Sequence, residues 1–313
     1  MIERIRDFLI RVINYIQKGT ATAVQLRAGS AYSRAAVTAQ IRKIDPCLPL
    51  SWEFSGFSQH GEDGIIDYLC SRMSEKNYFF LEIGAADCLQ NCSAWLAYAR
   101  RYAGVMIEGN PALAGVGRLA LRELKAHNVE LVTSFVTQEN IDRLMKMCPY
   151  QDPDVFILDI DGIDYHILKK ILELGFRPKL IVVEYNSSFG PDLSVTVPYD
   201  PQFSRWNFVK EGIYYGVSFS GWKNFLHQFD YHFVTVDSNG VNAFFIFPDA
   251  YPSNFVAEIR KSGFRNNLSD RNGTTNTYLD DEGDRTLPAR DWKAQLKKLE
   301  AHPLLYIPES EMN

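Results

Sequence analysis

From Phe79 onward, short apolar runs rich in β-branched residues alternate with longer stretches of helical periodicity. A chain with that rhythm has few options, because parallel strands need helical crossovers and end up covered on both faces. The pattern predicts strands at about 78–83, 104–108, 129–135, 154–159 and 179–184, with helices near 92–101, 112–126, 138–147 and 164–175. Gly175 and Pro178 mark the end of the last helix. The rhythm then changes: after a helix at about 219–229, YHFVTVDSNGVNAFFIF places two strands around Asn239-Gly240, a strong hairpin signal. The fold expected is α/β, a Rossmann-like seven-stranded sheet of five parallel strands plus a C-terminal antiparallel hairpin, with helices on both faces.

At 313 residues the chain suits one α/β core with extensions. The division expected is a helical extension over 1–50, a catalytic domain over 51–250, and a tail over 251–313 that is polar until a short helix near 290–300. Hydrophobic and charged shares of 46% and 23% are those of an ordinary globular protein. A net charge of -5 argues against nucleic acid as a partner, since phosphate binding needs clustered Lys and Arg. The five cysteines lack paired metal spacing, and Cys88 and Cys92 form a C-x3-C with no second pair. Reduced thiols and a cytoplasmic location are expected.

No run reaches the ~18 apolar residues of a membrane span. In MIERIRDFLIRVINYIQKG, Ile2, Ile5, Phe8, Leu9, Val12, Ile13 and Ile16 recur at helical spacing, with Arg4, Arg6, Arg11 and Lys18 on other faces. Two readings stand: a helix docked on the core or on a second subunit, or a basic amphipathic helix lying peripherally on the inner face of a membrane.

The cofactor candidates cluster where the first strand turns into a helix, in FLEIGAADCLQNCS. Gly84 and Ala85 allow close backbone approach to a ligand. Glu108 ends the second strand 24 positions after Gly84, placed to accept hydrogen bonds from ribose hydroxyls. Asn110 follows it and Pro111 starts the next helix. The fourth strand, in LDIDGIDYH, brings Asp159, Asp161, Asp164 and His166 to the carboxyl edge, where open α/β sheets bind ligands. The fifth strand brings Glu184 and Asn186. Asp161, Glu184 and Asn186 are hard oxygen donors suited to Mg²⁺ or another divalent cation.

For general base chemistry the order of preference is Asp161, His166, Asp164. Structural readings stand beside these: Asp164 as a helix-start residue and His166 as a first-turn histidine. His60 could reach the same cleft but is read as structural. The connection over 185–218 is long, and long loops in compact domains are often lids or substrate walls. Its Tyr185, Phe189, Tyr199, Phe203 and Trp206 can stack on sugar rings, with Asn186, Ser187, Ser188 and Asp200 as hydrogen-bonding groups.

The series FSQHGEDGIIDYL, FLEIGAADCLQNCSAWL, YAGVMIEGNP, VTQENIDRL, DVFILDIDGIDYHIL and PKLIVVEYNSSFGP resembles the FkbM-type methyltransferases, in the same order and at similar spacing. The resemblance covers roughly residues 56 to 248. It implies a class I methyltransferase sheet and S-adenosylmethionine as cofactor, contacted by Gln59, Glu82, Gly84, Ala85, Asn91 and Ser93. Glu108 would hold the ribose, and Ser134 and Phe135 would flank the adenine. Asn110 and Asp159 complete the cofactor set. The implied reaction is O-methylation of a sugar, sugar nucleotide or polysaccharide, metal-assisted in one version. The sequence departs from the family at Cys88, where a second glycine is usual, and at NCS in place of SNT. That departure motivates an alternative, a catalytically weakened module binding a glycan or nucleotide. A nicotinamide-dependent oxidoreductase is a third reading, opposed by the absence of G-x-G-x-x-G and by the terminal hairpin.

Overall fold

The computed structural model describes residues 2–261, 263–265, 278–279, 285–286 and 292–309. The elements run α1 (Ile2–Ile41), α2 (Glu62–Arg72), β1 (Phe79–Ile83), α3 (Ala94–Tyr98), β2 (Ala103–Glu108), α4 (Pro111–Glu123) and β3 (Val129–Thr133). They continue with α5 (Ile141–Met145), β4 (Val155–Leu158), α6 (Asp164–Glu173), β5 (Leu180–Glu184), β6 (Val195–Thr196), α7 (Phe219–His227), β7 (His232–Val236) and β8 (Asn242–Ile246). Last come α8 (Ser253–Glu258), β9 (Tyr278–Leu279), β10 (Arg285–Thr286), α9 (Trp292–Leu299) and β11 (Leu305–Tyr306).

Seven strands form one sheet in the order β3-β2-β1-β4-β5-β8-β7. The first five are parallel, and β8 enters antiparallel between β5 and β7. This is the expected seven-stranded Rossmann-like sheet with its terminal hairpin. The hairpin connection is longer than a two-residue turn. The Asp237 carboxylate accepts from the amides of Asn239, Val241 and Asn242 and shapes it, with Gly240 at φ 71°.

Because strand side chains alternate, the strands feed two cores. Phe80, Val155, Ile157, Leu180, Val182 and Phe244 face α1, α2 and α4. Leu81, Ile83, Phe156, Leu158, Ile181 and Val183 face α5, α6 and α7. In α1, Val24, Ala28, Ala31 and Ala35 recur at helical spacing and are buried. Arg27 pairs with Asp87 at 2.7 Å, tying this helix to the turn after β1. The amphipathic residues up to Lys18 have side chains outside the described residues. So does most of the polar stretch after Phe264. No helix among the described residues is long and apolar enough to cross a membrane.

The connection after β5 folds into a cap over the carboxyl edge of the sheet. Its β6 pairs with β11, and Phe189, Val195, Val197, Ile213 and Tyr214 bury a small core with Leu299 of α9. Ser188 Oγ donates to Gln295 at 2.8 Å. Residues over 100 positions away along the chain therefore close this cap.

Candidate functional site

Gly84 sits at φ +96°, and a Cβ there would lie 1.7 Å from the Asp159 carbonyl oxygen. Only glycine lets the tips of β1 and β4 meet. Beyond it, the Ala86 amide donates to Glu108 Oε2 at 2.8 Å, and the Asn110 amide donates to Oε1 at 2.7 Å. Each oxygen keeps a lone pair for a ligand hydroxyl.

Glu82 is buried, and that burial pushes its carboxyl up to about 7. It accepts from Asn91 Nδ2 and Ser93 Oγ, and from the amides of Cys92 at 3.1 Å and Ser93 at 3.3 Å. The donors at the start of α3 are thereby taken by a carboxylate of the chain itself. Asn91 Oδ1 is buried with no partner among the described residues. Cys88 holds φ 57°, the left-handed conformation for which a glycine is usual. Its thiol is buried against Gly117 of α4, where a Cβ would come within 2.6 Å of the sulfur. The departure at Cys88 keeps the backbone turn and points its side chain into the core.

Two cavities lie along the carboxyl edge. One of about 740 Å³ is lined by Glu108, Asn110, Leu113, Ser134, Phe135 and the cap residues Phe203 and Trp206, among others. Phe135 is 75% exposed and lies over Gly109, whose missing side chain makes room for its ring. The second cavity, about 300 Å³, is lined by Gln59, His60, Glu62, Glu82, Asn91, Asp159, Asp161, Glu184, Arg205 and Tyr215, among others. Gly84, Ala86, Asp159 and Asp161 border both, so the two form one cleft. Five carboxylates face its smaller end, against one arginine.

Asp159, Asp161 and Glu184 offer oxygens within 4.8 Å of one another. Burial and the neighbouring carboxylates hold both Asp159 and Glu184 well above the usual carboxylate range. The charge of Asp159 is among the causes that raise Glu184. Tyr215 OH donates to Glu184 Oε1 at 3.2 Å. Asp161, at φ 55°, is half exposed and ion-paired with Arg205. The Arg205 guanidinium lies 4.6 Å from the Tyr215 ring centroid and 5.2 Å from that of Trp206. Its Nε is buried with no partner among the described residues.

Three expected site residues are committed elsewhere. Asp164 is buried and accepts from the amides of Ile160 at 3.0 Å and Gly162 at 2.9 Å, shaping the turn that carries Asp161. His166 Nε2 bonds the Val197 carbonyl at 2.9 Å under the cap, and burial lowers its proton affinity. Neither lines the cleft. Asn186 reaches the cavity wall, but its amide donates to the carbonyls of Ile213 and Tyr215 while its oxygen accepts from Ser188. Asp159 takes its place in the acidic trio. The trio's donor chemistry suits a hard divalent cation, but only once Arg205 releases Asp161.

Of the cap aromatics, Phe203 and Trp206 line the cleft. Tyr185 and Phe189 are core, and Tyr199 OH is spent on Glu139. Sequence reasoning missed Arg205 and Tyr215. Arg205 did carry a signal, as the one basic residue between 185 and 209. Tyr215 carried none, since its role depends on the cap folding back.

No protein-family model and no curated protein matches the sequence. Among solved structures, the chain is similar to an O-methyltransferase from Bacillus cereus in complex with SAH. The identity is 16%, with 73% of this chain and 89% of that chain covered and a TM-score of 0.41. It is also similar to the O-methyltransferase TomG from Streptomyces achromogenes, involved in tomaymycin synthesis, in complex with SAM. There the identity is 18%, the coverage 68% and 94%, and the TM-score 0.41. SAH-bound PaMTH1 from Podospora anserina shows 17% identity, 54% and 71% coverage, and a TM-score of 0.37. At these identities and scores the likeness supports no transfer of activity.

Proposed function

We propose that this chain is an S-adenosylmethionine-dependent O-methyltransferase of the FkbM type, acting on a hydroxyl of a neutral sugar or glycan. The observation that carries this is the sign of the charge along one continuous cleft. At its wide end, Glu108 suits a ribose diol, and Phe135 and Leu113 offer apolar surface to an adenine. At its narrow end stand five carboxyl groups and one arginine, and burial and crowding raise the proton affinity of Glu82, Asp159 and Glu184, so a bound cation is favoured there over a phosphate. A dinucleotide would bring a pyrophosphate to the start of α3, but Glu82 already occupies the amides of Cys92 and Ser93 that it would need. S-adenosylmethionine instead brings a sulfonium and an ammonium. Unlike charges 4 Å apart attract by about 4 kcal/mol at an effective dielectric of 20, and a phosphate would be repelled on the same scale. Asn91 Oδ1, an acceptor without a donor among the described residues, suits the ammonium.

The chemistry follows from positioning. The acceptor hydroxyl loses its proton to the Asp159–Glu184 pair as its oxygen attacks the methyl carbon. A bound S-adenosylmethionine would supply the methyl group and leave as a neutral thioether. Loss of that positive charge weakens the product's hold on an acidic cleft. Phe203 and Trp206 beside carboxylates favour a polyol acceptor, as rings stack on sugar faces while carboxylates accept from hydroxyls. A divalent ion held by the trio, were Arg205 to release Asp161, would supply further polarisation of the hydroxyl. The buried thiol of Cys88 favours an active enzyme over a weakened module, since the substitution leaves the cleft untouched.

Isothermal titration tests the core of this reading. S-adenosylmethionine and S-adenosylhomocysteine should bind in the micromolar to millimolar range typical of enzyme ligands, and NAD⁺ should not bind. A folded sample that binds NAD⁺ and neither of the others overturns it. Methyl transfer from labelled cofactor to a panel of neutral sugars, sugar nucleotides, and amines and thiols without hydroxyls tests the acceptor class. Transfer only to acceptors without hydroxyls would remove that half.

A further inference from the structure

Arg205 reaches the cleft from the cap, on a single helical turn at Arg205–Asn207, while the acids it meets stand on the tips of the sheet. Its side chain is 17% exposed, against 52% for Asp161, so the cation is the more enclosed member of the pair. Tyr215 fixes both halves of this arrangement: its ring lies 4.6 Å from the guanidinium carbon, and its hydroxyl donates to Glu184. Trp206 flanks the guanidinium at 5.2 Å. One guanidinium nitrogen is spent on Asp161, while Nε is buried and has no partner among the described residues. A desolvated N–H without an acceptor is costly to leave empty, and a ligand oxygen is the partner that would satisfy it.

We propose that Arg205 is the resident cation of the reaction cavity. Its guanidinium holds the place on Asp161 that a divalent ion would take, and its Nε–H is the donor that orients an acceptor oxygen. This rests on the methyltransferase reading for the identity of the acceptor but not for the cation itself. A divalent ion on the trio needs the Asp161 oxygens, and so does the arginine. The two charges also repel at the few ångströms between them. The protein supplies by a fixed side chain what a bound ion supplies elsewhere, a positive charge and a point of attachment for oxygen. Arginine suits this task, because its planar fork can bond a carboxylate and still offer a second donor.

The test is Mn²⁺ binding followed by electron paramagnetic resonance on the full chain without cofactor. The samples are the wild type, Arg205→Gln and Arg205→Lys, with circular dichroism to verify folding. The Gln variant frees Asp161 and removes the charge, so its Mn²⁺ affinity should rise about tenfold or more, given interactions of this size at short range. The Lys variant keeps the charge and should stay close to wild type. A Lys variant that gains as much as Gln, or a Gln variant that gains nothing, overturns the proposal. Wild type alone also decides: an Mn²⁺ site tighter than about 10⁻⁴ M, the range of weak oxygen-ligand sites, refutes it even if the Gln variant does not fold. S-adenosylmethionine titrated into the same samples reports separately on the parent reading. No binding in any of them would sink the methyltransferase while leaving the Mn²⁺ ranking to judge Arg205.

Discussion

Replacing Gly84 by alanine tests whether the meeting of two strand tips builds the cleft. The new Cβ would stand 1.7 Å from the Asp159 carbonyl oxygen and 2.7 Å from its carbon, both backbone atoms. The carbonyl would have to retreat by about 1.5 Å to reach tolerable contact, and overpacking of this kind costs about 1–3 kcal/mol. The φ of +96° adds about 1–2 kcal/mol for any residue with a Cβ. Gly175 provides the control, with φ +89° and nothing within 4 Å of its virtual Cβ. Urea unfolding should therefore show a loss of about 1–2 kcal/mol for Gly175→Ala and about 2–5 kcal/mol for Gly84→Ala. The retreat also displaces Asp159, which borders both parts of the cleft. Misplacement of about 1 Å commonly costs a hundredfold in turnover, so S-adenosylmethionine binding and turnover should fall for Gly84→Ala and hold for Gly175→Ala. Equal destabilisation of the two variants, with ligand affinity intact in both, would refute the reasoning.

Glu82 makes stability depend on pH. Burial raises its folded-state carboxyl to about 7, above the ordinary 4.5, so its contribution is full below 4.5 and is lost as pH rises towards 7. Wild type should lose up to about 3 kcal/mol more than Glu82→Gln between pH 4.5 and 7, read from urea midpoints; parallel curves would contradict this. Phe135→Ala should leave the unfolding midpoint unchanged, because the ring is exposed, yet weaken S-adenosylmethionine about tenfold through lost stacking. Unaltered affinity in calorimetry would remove Phe135 from the adenine site. Cys88→Gly should relieve about 1–2 kcal/mol of left-handed strain and give part of it back by unpacking the thiol from α4. Its cofactor affinity should stay within about threefold, and a larger gain would show that Cys88 does weaken the site.

The sheet was legible because parallel strands carry their own period. Alternate residues of β1, β4 and β5 feed two separate cores, and the β-branched runs that result are visible without coordinates. The helices α3 and α5 are shorter than their periodicity suggests. The residues before α3 turn inwards to bond Glu82, while Asn140 caps the turn before α5 through the Thr137 amide. The chemical candidates were legible as a neighbourhood but not as individuals. Asp161, Asp164 and His166 lie within six positions, yet only Asp161 faces the cleft. Local turn geometry consumes Asp164, and the cap consumes His166 through Val197.

What the sequence by itself determined is what depends on spacing along the chain: the strand rhythm, the glycine at the first turn, the acid closing the second strand, and the acids at the fourth. Each is set by the backbone's own period and by the small space at a strand-to-helix turn. The tertiary structure alone decided which of those groups are free. It spent Glu82, Asp164, His166 and Asn186 on hydrogen bonds within the protein, and it brought Arg205 and Tyr215 onto the acids through a cap closed by the distant α9 and β11. A buried polar group takes whichever partner the fold brings within about 3 Å, and no local pattern of residues reports that choice.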